Sequence, residues 1–305
     1  MTLKTLTSIR SLTLVRASLA APGLVVIGLF FLAPLAWVGA EALVGGGKGF
    51  ATLFASRQFW SGLLNSLVLG LLAAAISLAV GMAVSLRLAS MGSRSRLAWQ
   101  FLIALPLTFS GLIVAYGFIL AFGRAGFITL SLEAAIGINP VAFSQMIYSP
   151  YGLALVYSYY LIPRVVMMLT PVLINFDMGQ LAAAETLGAT RVQTLRDILL
   201  PQVAAPMISA FCLVAAVAIG AYGTALALVG TQVNILPLQL FTMVSDAGAD
   251  FAVTASLGLV LVAICTSVMA IGEWGNARQQ RIGFSNAIGQ PKNGPEKAPG
   301  RARRG

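Results

Sequence analysis

Apolar residues in this chain come in blocks rather than stripes. The stretch LVLGLLAAAISLAV, Leu67 to Val80, is apolar on every side of a helix and on both faces of a strand. Crossing a bilayer takes roughly 20 mostly apolar residues, because about 30 Å of hydrocarbon is covered at 1.5 Å per residue. Six blocks reach that length: Leu19–Val44, Leu63–Leu88, Trp99–Phe122, Tyr151–Ile174, Ala204–Val229 and Phe251–Ile271. Barrel strands would instead alternate apolar and polar residues over about 10 positions. The pattern predicts an all-α, polytopic membrane protein with six transmembrane helices spanning residues 19–274. Residues 1–18 form a basic leader, and 275–305 a Gly-, Pro-, Asn- and Lys-rich tail with too little apolar content to fold alone. The first block follows Lys4, Arg10 and Arg16 and reaches Ala40-Glu41-Ala42, which resembles a signal cleavage site. Its apolar run exceeds the 7–15 residues of a cleavable signal, so it is read as a retained anchor.

Composition agrees. Of 305 residues, 58% are hydrophobic and 9% charged, where a soluble domain carries about 25% charged residues. Histidine is absent, which excludes every imidazole-based base, proton shuttle or metal site, and no metal site is expected. Cys212 and Cys265 lie inside apolar runs and read as buried thiols rather than a disulfide.

The net charge of +10 is explained by where the cations lie. Lys4, Arg10, Arg16, Arg87, Arg94, Arg96, Arg191 and Arg196 fall on one side, with Arg278, Arg281, Lys292, Lys297, Arg301, Arg303 and Arg304 of the tail. Lys48, Arg57 and Arg124 fall on the other, and Arg164 lies within a span. The positive-inside rule then puts both termini and the connection between the fourth and fifth spans on the cytoplasmic side. The basic excess orients the helices and lies against anionic lipid heads. No nucleic-acid partner is implied, since charge runs of this kind are ordinarily solvated tails.

That connection, Phe176 to Pro206, is the most informative stretch. Asp177 with Gln180, and Thr190 with Gln193, each have the spacing of a capping box. The pattern predicts one helix through Leu187 closed at Gly188, and a second from Thr190 to Leu200, stopped by Pro201. Val192, Leu195, Ile198 and Leu199 fall on one side of the second helix, with Arg191, Arg196 and Asp197 elsewhere. Two roles fit such a helix–turn–helix: an interfacial pair resting on lipid and its own bundle, or a docking element seated in a soluble partner.

The stretch resembles the cytoplasmic EAA loop of binding-protein-dependent ABC importer permeases, whose pattern is Glu-Ala-Ala, three residues, Gly, nine residues, Ile, one residue, Leu-Pro. Ala183, Ala184, Gly188, Ile198, Leu200 and Pro201 fall on it without a gap; Ala182 stands where the family has glutamate, and Glu185 is the nearest acid. Asn65-Ser66, Leu105-Pro106 and the Phe122-Gly123 to Gly126 turn also resemble this family, and GAYGTALALVG from Gly220 to Gly230, followed by Leu236-Pro237-Leu238, is similar to its polyamine, opine, phosphonate, iron and thiamine branch. The resemblance implies a permease subunit importing a small polar solute from periplasm to cytoplasm. It implies as partners a cytoplasmic ABC ATPase dimer, a second permease that in this branch is commonly a paralogue, and a periplasmic substrate-binding protein. The chain shows no phosphate loop of its own, so no cofactor is expected on it, and ATP would be hydrolysed on the partner. Ala184, Leu187, Gly188, Ala189 and Leu195 are the expected contact surface, with Ala183, Glu185, Ile198 and Pro201 shaping it. Arg191 and Arg196 would face acidic groups of the ATPase or lipid phosphates.

No catalytic residue is expected. Arg164, following Pro163, either lines the conduit and favours anionic cargo, or bonds carbonyls freed by the proline kink or pairs with the second permease. Tyr222 and Thr224, among Gly220 and Gly223, either touch solute or belong to a small-residue packing surface. Asn65 is a conduit residue or an interhelical hydrogen bond. An ion-coupled secondary transporter would carry mid-membrane carboxylates, which the six blocks lack. A membrane-embedded metal hydrolase is disfavoured by the missing histidines, while a serine nucleophile stays open on composition alone.

Overall fold

A computed structural model describes residues 21–288 apart from Met178, Ala247 and Ala249, with side chains through Gly275. The leader and the end of the tail lie outside these residues. Every regular element among the described residues is a helix, and six are long and apolar enough to cross a membrane. We label the helices α1 (Ala21–Ala42), α2 (Lys48–Ala55), α3 (Arg57–Ala89), α4 (Ser93–Ala104), α5 (Gly111–Phe122), α6 (Phe127–Ile136), α7 (Pro140–Ile147), α8 (Pro150–Ile174) and α9 (Gly179–Thr186). They are followed by α10 (Arg191–Ile219), α11 (Gly223–Val229), α12 (Leu236–Ser245) and α13 (Phe251–Ile288).

The centre of the bundle is α8, packed against α3 and α10. Lipid tails are as apolar as leucine, so spanning helices associate through close packing rather than hydrophobic expulsion. The buried face of α3 shows how: Gly62, Ser66, Gly70, Ala73, Ser77, Gly81 and Ser85 recur every three or four residues. A Cβ at Gly70 would lie 2.5 Å from Cγ1 of Ile219, and one at Gly81 2.6 Å from Cγ1 of Val165. Glycine is needed there for the backbones to approach. Opposite that face stand Leu153, Tyr157, Leu161, Val165 and Leu169 of α8, all fully buried or nearly so. Helix α1 is peripheral: it packs on α13 and leaves Phe30, Phe31 and Trp37 exposed, as lipid-facing side chains would be.

Three predicted boundaries are corrected. The block Trp99–Phe122 is not one helix. It is α4, a 3-10 turn Leu105–Thr108, an extended Phe109-Ser110 and then α5, whose first turn is capped by Ser110 Oγ accepting from the Ile113 amide. The third candidate span is Gly111–Ile136, in which α5 and α6 follow each other through a tight turn at Gly123–Gly126. The fifth span is not Ala204–Val229: its helix begins at Arg191, ends at Ile219 and is separated from α11 by Gly220–Tyr222. Finally, α13 does not stop near Ile271 but continues to Ile288, so residues 275–288 of the segment read as tail are helical. No proline interrupts that stretch before Pro291.

At the beginning of α3 a polar cluster ties three elements together. Asn65 Nδ2 donates to the Asn234 carbonyl, and Asn234 Nδ2 donates to Ser61 Oγ and the Gln58 carbonyl. Gln239 Nε2 reaches the same Gln58 carbonyl and Asn234 Oδ1, while Ser66 Oγ accepts from the Leu236 amide. Asn234→Ala should therefore lower unfolding resistance in detergent by about 1–3 kcal/mol through the loss of three side-chain hydrogen bonds, while Gln58, Ser61 and Gln239 keep bonds to one another. Asn65→Ala, which removes one bond, should cost about 1 kcal/mol or less. Equal effects from the two variants would mean that Asn234 is not the hub.

Candidate functional site

Two regions hold most of the residues singled out by the sequence: an elbow between α8 and α10, and an open cavity in the side of the bundle. The elbow is stiff for identifiable reasons. Helix α9 closes on Gly188 (φ +90°), whose amide bonds the Glu185 carbonyl while that of Ala189 bonds Ala184. These are the paired bonds of a Schellman closure, which requires the left-handed conformation glycine adopts at no steric cost. Two residues on, Thr190 Oγ1 accepts from the Gln193 amide and Gln193 Oε1 accepts from the Thr190 amide, a complete capping box that starts α10. At the front of α9 the arrangement differs from expectation. Asp177 Oδ1 accepts from the Gly179 amide, and Gln180 Oε1 accepts from Gln202 Nε2, tying α9 to α10.

The elbow is largely uncovered. Leu187 is 89% exposed and Val192 75%; Ala183, Glu185, Gly188, Arg191 and Arg196 are exposed, and Ala184, Ala189 and Ile198 half-buried. Arg191 Nε lies 3.9 Å from Glu185 Oε1 across the turn, a solvated pair worth little by itself. The predicted apolar ridge does not stay on one side. Leu199 is fully buried in the core, Leu195 is at the margin and Val192 stands free, so burial increases along the helix toward the membrane. Nor does Pro201 stop the helix. A wide π turn at Leu195–Leu199 precedes it, and α10 continues through Pro201 and Pro206 to Ile219. A proline lacks the amide that a regular turn would use, and the locally altered ladder of a π turn accommodates this loss. The second arm of the elbow and the fifth span are thus one helix of about 43 Å at 1.5 Å per residue.

The far end of that helix opens on the second region. A cavity of about 430 Å³ is bounded by Pro106, Leu107 and Phe109–Leu112 at the break before α5, by Tyr160 and Arg164 of α8, and by Val217 and Gly220–Thr224 at the break after α10. Thr224 is buried against Gly111, where a side chain would collide with its hydroxyl. Tyr157 donates to the Ala221 carbonyl at 2.8 Å, which fixes the second break. Tyr222 is partly exposed and its ring lies 5.1 Å from that of Phe241. Arg164 sits 5.9 Å from the Tyr160 ring centroid, and its Nη1 is buried without a hydrogen-bond partner among the described residues. The carbonyls near Pro163 do not take it. The structure therefore brings Arg164, Tyr222 and Thr224 together and leaves Asn65 in the polar cluster, away from the cavity. Sequence reasoning missed Tyr160, Ser110 and Gly111; the available signal was Ser110-Gly111 shortly after Leu105-Pro106, a cap spacing inside an apolar block.

With a membrane bundle, an exposed elbow and a cavity joined by one helix, the architecture is that of a transport subunit. The sequence matches the family described as binding-protein-dependent transport system inner membrane component over residues 78–281. The chain belongs to that family: it is an inner-membrane permease component of a binding-protein-dependent ABC transport system. It is 25% identical to the sulfate transport system permease protein CysW of Synechococcus elongatus, over 89% of this chain and 94% of that relative. It is 28% identical to the putative 2-aminoethylphosphonate transport system permease protein PhnU of Salmonella typhimurium, over 83% of this chain and 89% of the relative. In fold it is similar to a chain of a bacterial alginate ABC transporter crystallised with an alginate-bound periplasmic protein. That likeness has a TM-score of 0.66 at 18% identity and covers 90% of this chain and 97% of the other.

Proposed function

We propose that the exposed elbow at 179–201 docks on a cytoplasmic ABC ATPase pair and that α10 carries the ATPase motion to the cavity. In this reading a second permease completes the conduit, a periplasmic binding protein delivers a small polar solute, and import runs toward the side that holds both termini. The observation that supports it is the continuity of α10: a stiffly capped, uncovered corner at one end and a cavity wall at the other. A floppy connection would dissipate the motion, whereas a packed helix with two discrete placements transmits it. Arg191 and Arg196 would then meet acidic ATPase groups or lipid phosphates. The Glu185–Arg191 pair offers one carboxylate on the elbow although Ala182 replaces the family glutamate.

Purification in mild detergent tests the docking. The wild-type chain should bring down an ABC ATPase identified from its peptides, and Leu187→Asp with Val192→Asp should lose most of it while leaving the chain folded, because both side chains are uncovered. A chain that purifies alone, as an ion-coupled carrier would, overturns the reading.

A further inference from the structure

Arg164 lies about 15 Å along α8 from its C-terminal end at 1.5 Å per residue, well inside the apolar region. Among the described residues it is the one charged residue lining the cavity. The carboxylates among the described residues are Glu41, Glu133, Asp177, Glu185, Asp197, Asp246, Asp250 and Glu273, and none lines it. Nη1 of Arg164 is enclosed by protein and has no acceptor among the described residues, while the side chain as a whole is half-buried and borders the cavity. A guanidinium without a counter-charge in an apolar span is costly, and an anion in the cavity would relieve it. The other polar groups at the wall suit the same ligand: the hydroxyls of Ser110 and Tyr222, and those of Tyr160 and Thr224, which are bonded to each other and leave one hydroxyl proton to donate. Helix α5 begins here as well. Ser110 caps the Ile113 amide, while the amides of Gly111 and Leu112 are among the first-turn donors that no helical carbonyl satisfies. Broken helices whose amide ends face a membrane cavity are a recurrent way to hold anionic groups.

Resting on the transport reading above, we propose that this cavity is an anion subsite of the conduit, and that the cargo carries a compact oxyanion group of the sulfate, phosphate or phosphonate type. The guanidinium fork takes two oxygens of such a group, and Tyr222, partly exposed at the rim, closes over it.

The full-length chain, with whatever subunits co-purify but without the binding protein, is titrated in maltoside detergent and Tris chloride, so that no phospholipid or buffer oxyanion competes. The probes are sulfate, molybdate, phosphate and 2-aminoethylphosphonate, with putrescine and sucrose as cationic and neutral controls. The thermal midpoint should rise saturably with at least one oxyanion and with neither control. Arg164→Gln should weaken that oxyanion about ten- to a hundredfold, and Arg164→Lys less, as expected for loss of a charge-assisted contact. Gly223→Val narrows the cavity without touching the charge. A Cβ there meets nothing closer than 3.8 Å, so the variant should fold and lose affinity too, which keeps the test decisive if Arg164→Gln fails to fold. No oxyanion effect beyond that of sodium chloride, or one unchanged in Arg164→Gln and Gly223→Val, overturns the subsite. So does loss of a second permease from the Arg164→Gln preparation, which would make Arg164 an intersubunit pairing residue. Absence of an ATPase from the wild-type preparation overturns the docking reading instead, and the titration still decides the subsite.

Discussion

Gly188→Pro is expected to leave the chain in the membrane at wild-type abundance and to cut solute transport at least about tenfold. The reasoning is conformational. Gly188 has φ +90°, and proline is confined to about −65°. Its amide donates to the Glu185 carbonyl, a bond that proline cannot make. The Schellman closure must open, and α9 can no longer hold a fixed angle to α10. The bundle is untouched, because a substituent at Gly188 meets no atom within 4 Å. Gly188→Ala should be intermediate, since a left-handed alanine costs roughly 1–2 kcal/mol but keeps the amide. The measurement is ATP hydrolysis and solute uptake in the same proteoliposomes, with uptake falling much further than hydrolysis. Normal uptake by Gly188→Pro would remove the elbow from the coupling path.

What the sequence revealed and what it hid follow from the range over which each signal acts. The apolar blocks were legible because crossing a bilayer is a property of a contiguous segment. The elbow's closure at Gly188 and its Thr190–Gln193 cap were legible because both are local hydrogen-bond patterns. Prolines were not. Pro163 and Pro171 lie inside α8, and Pro201 and Pro206 inside α10, yet Pro106 marks a true break. Each looks alike within an apolar run, and the outcome depends on whether neighbouring groups satisfy the freed carbonyls. At Pro106 a cap at Ser110 makes a new helix start available; at Pro201 a π turn absorbs the loss instead. The cavity was hidden for the same reason. It is enclosed by two such breaks more than a hundred residues apart, and only tertiary packing brings Gly111 against Thr224.

Arg164 carries this contrast into function. Its charge in an apolar block was visible at once, since an intramembrane cation is unfavourable by about 2.5–3.5 kcal/mol on insertion scales. Whether it served structure or solute was not visible, because both roles put the same residue in the same span. The unsatisfied Nη1 and the surrounding hydroxyls are the support for the proposed solute role, and neither can be inferred from spacing.

The largest loss of stability is expected at the contact that holds the cavity wall in place. Gly81 of α3 faces Val165, the residue after Arg164, and a Cβ at Gly81 would stand 2.6 Å from Cγ1 and 2.7 Å from Cβ of Val165. Val165 is fully buried and β-branched, so its side chain has no free rotamer to retreat into. Gly81→Leu must then push α3 off α8, opening the packed stripe from Gly70 to Ser85, and should cost about 3 kcal/mol or more, at the upper end of overpacking effects. Recovery from the membrane should fall sharply, and whatever folds should bind anion poorly because Arg164 moves with Val165. Gly117 of α5 is the control: no atom lies within 4 Å of a Cβ there, and its helix face is exposed. Gly117→Leu should be tolerated, and Gly117→Ala should be neutral or stabilising by up to about 1 kcal/mol through helix propensity. The two glycines are alike by sequence, each in the middle of an apolar helix. Equal tolerance of leucine at both would mean that α3 and α8 do not meet at Gly81, and that the wall carrying Arg164 is set by some other contact.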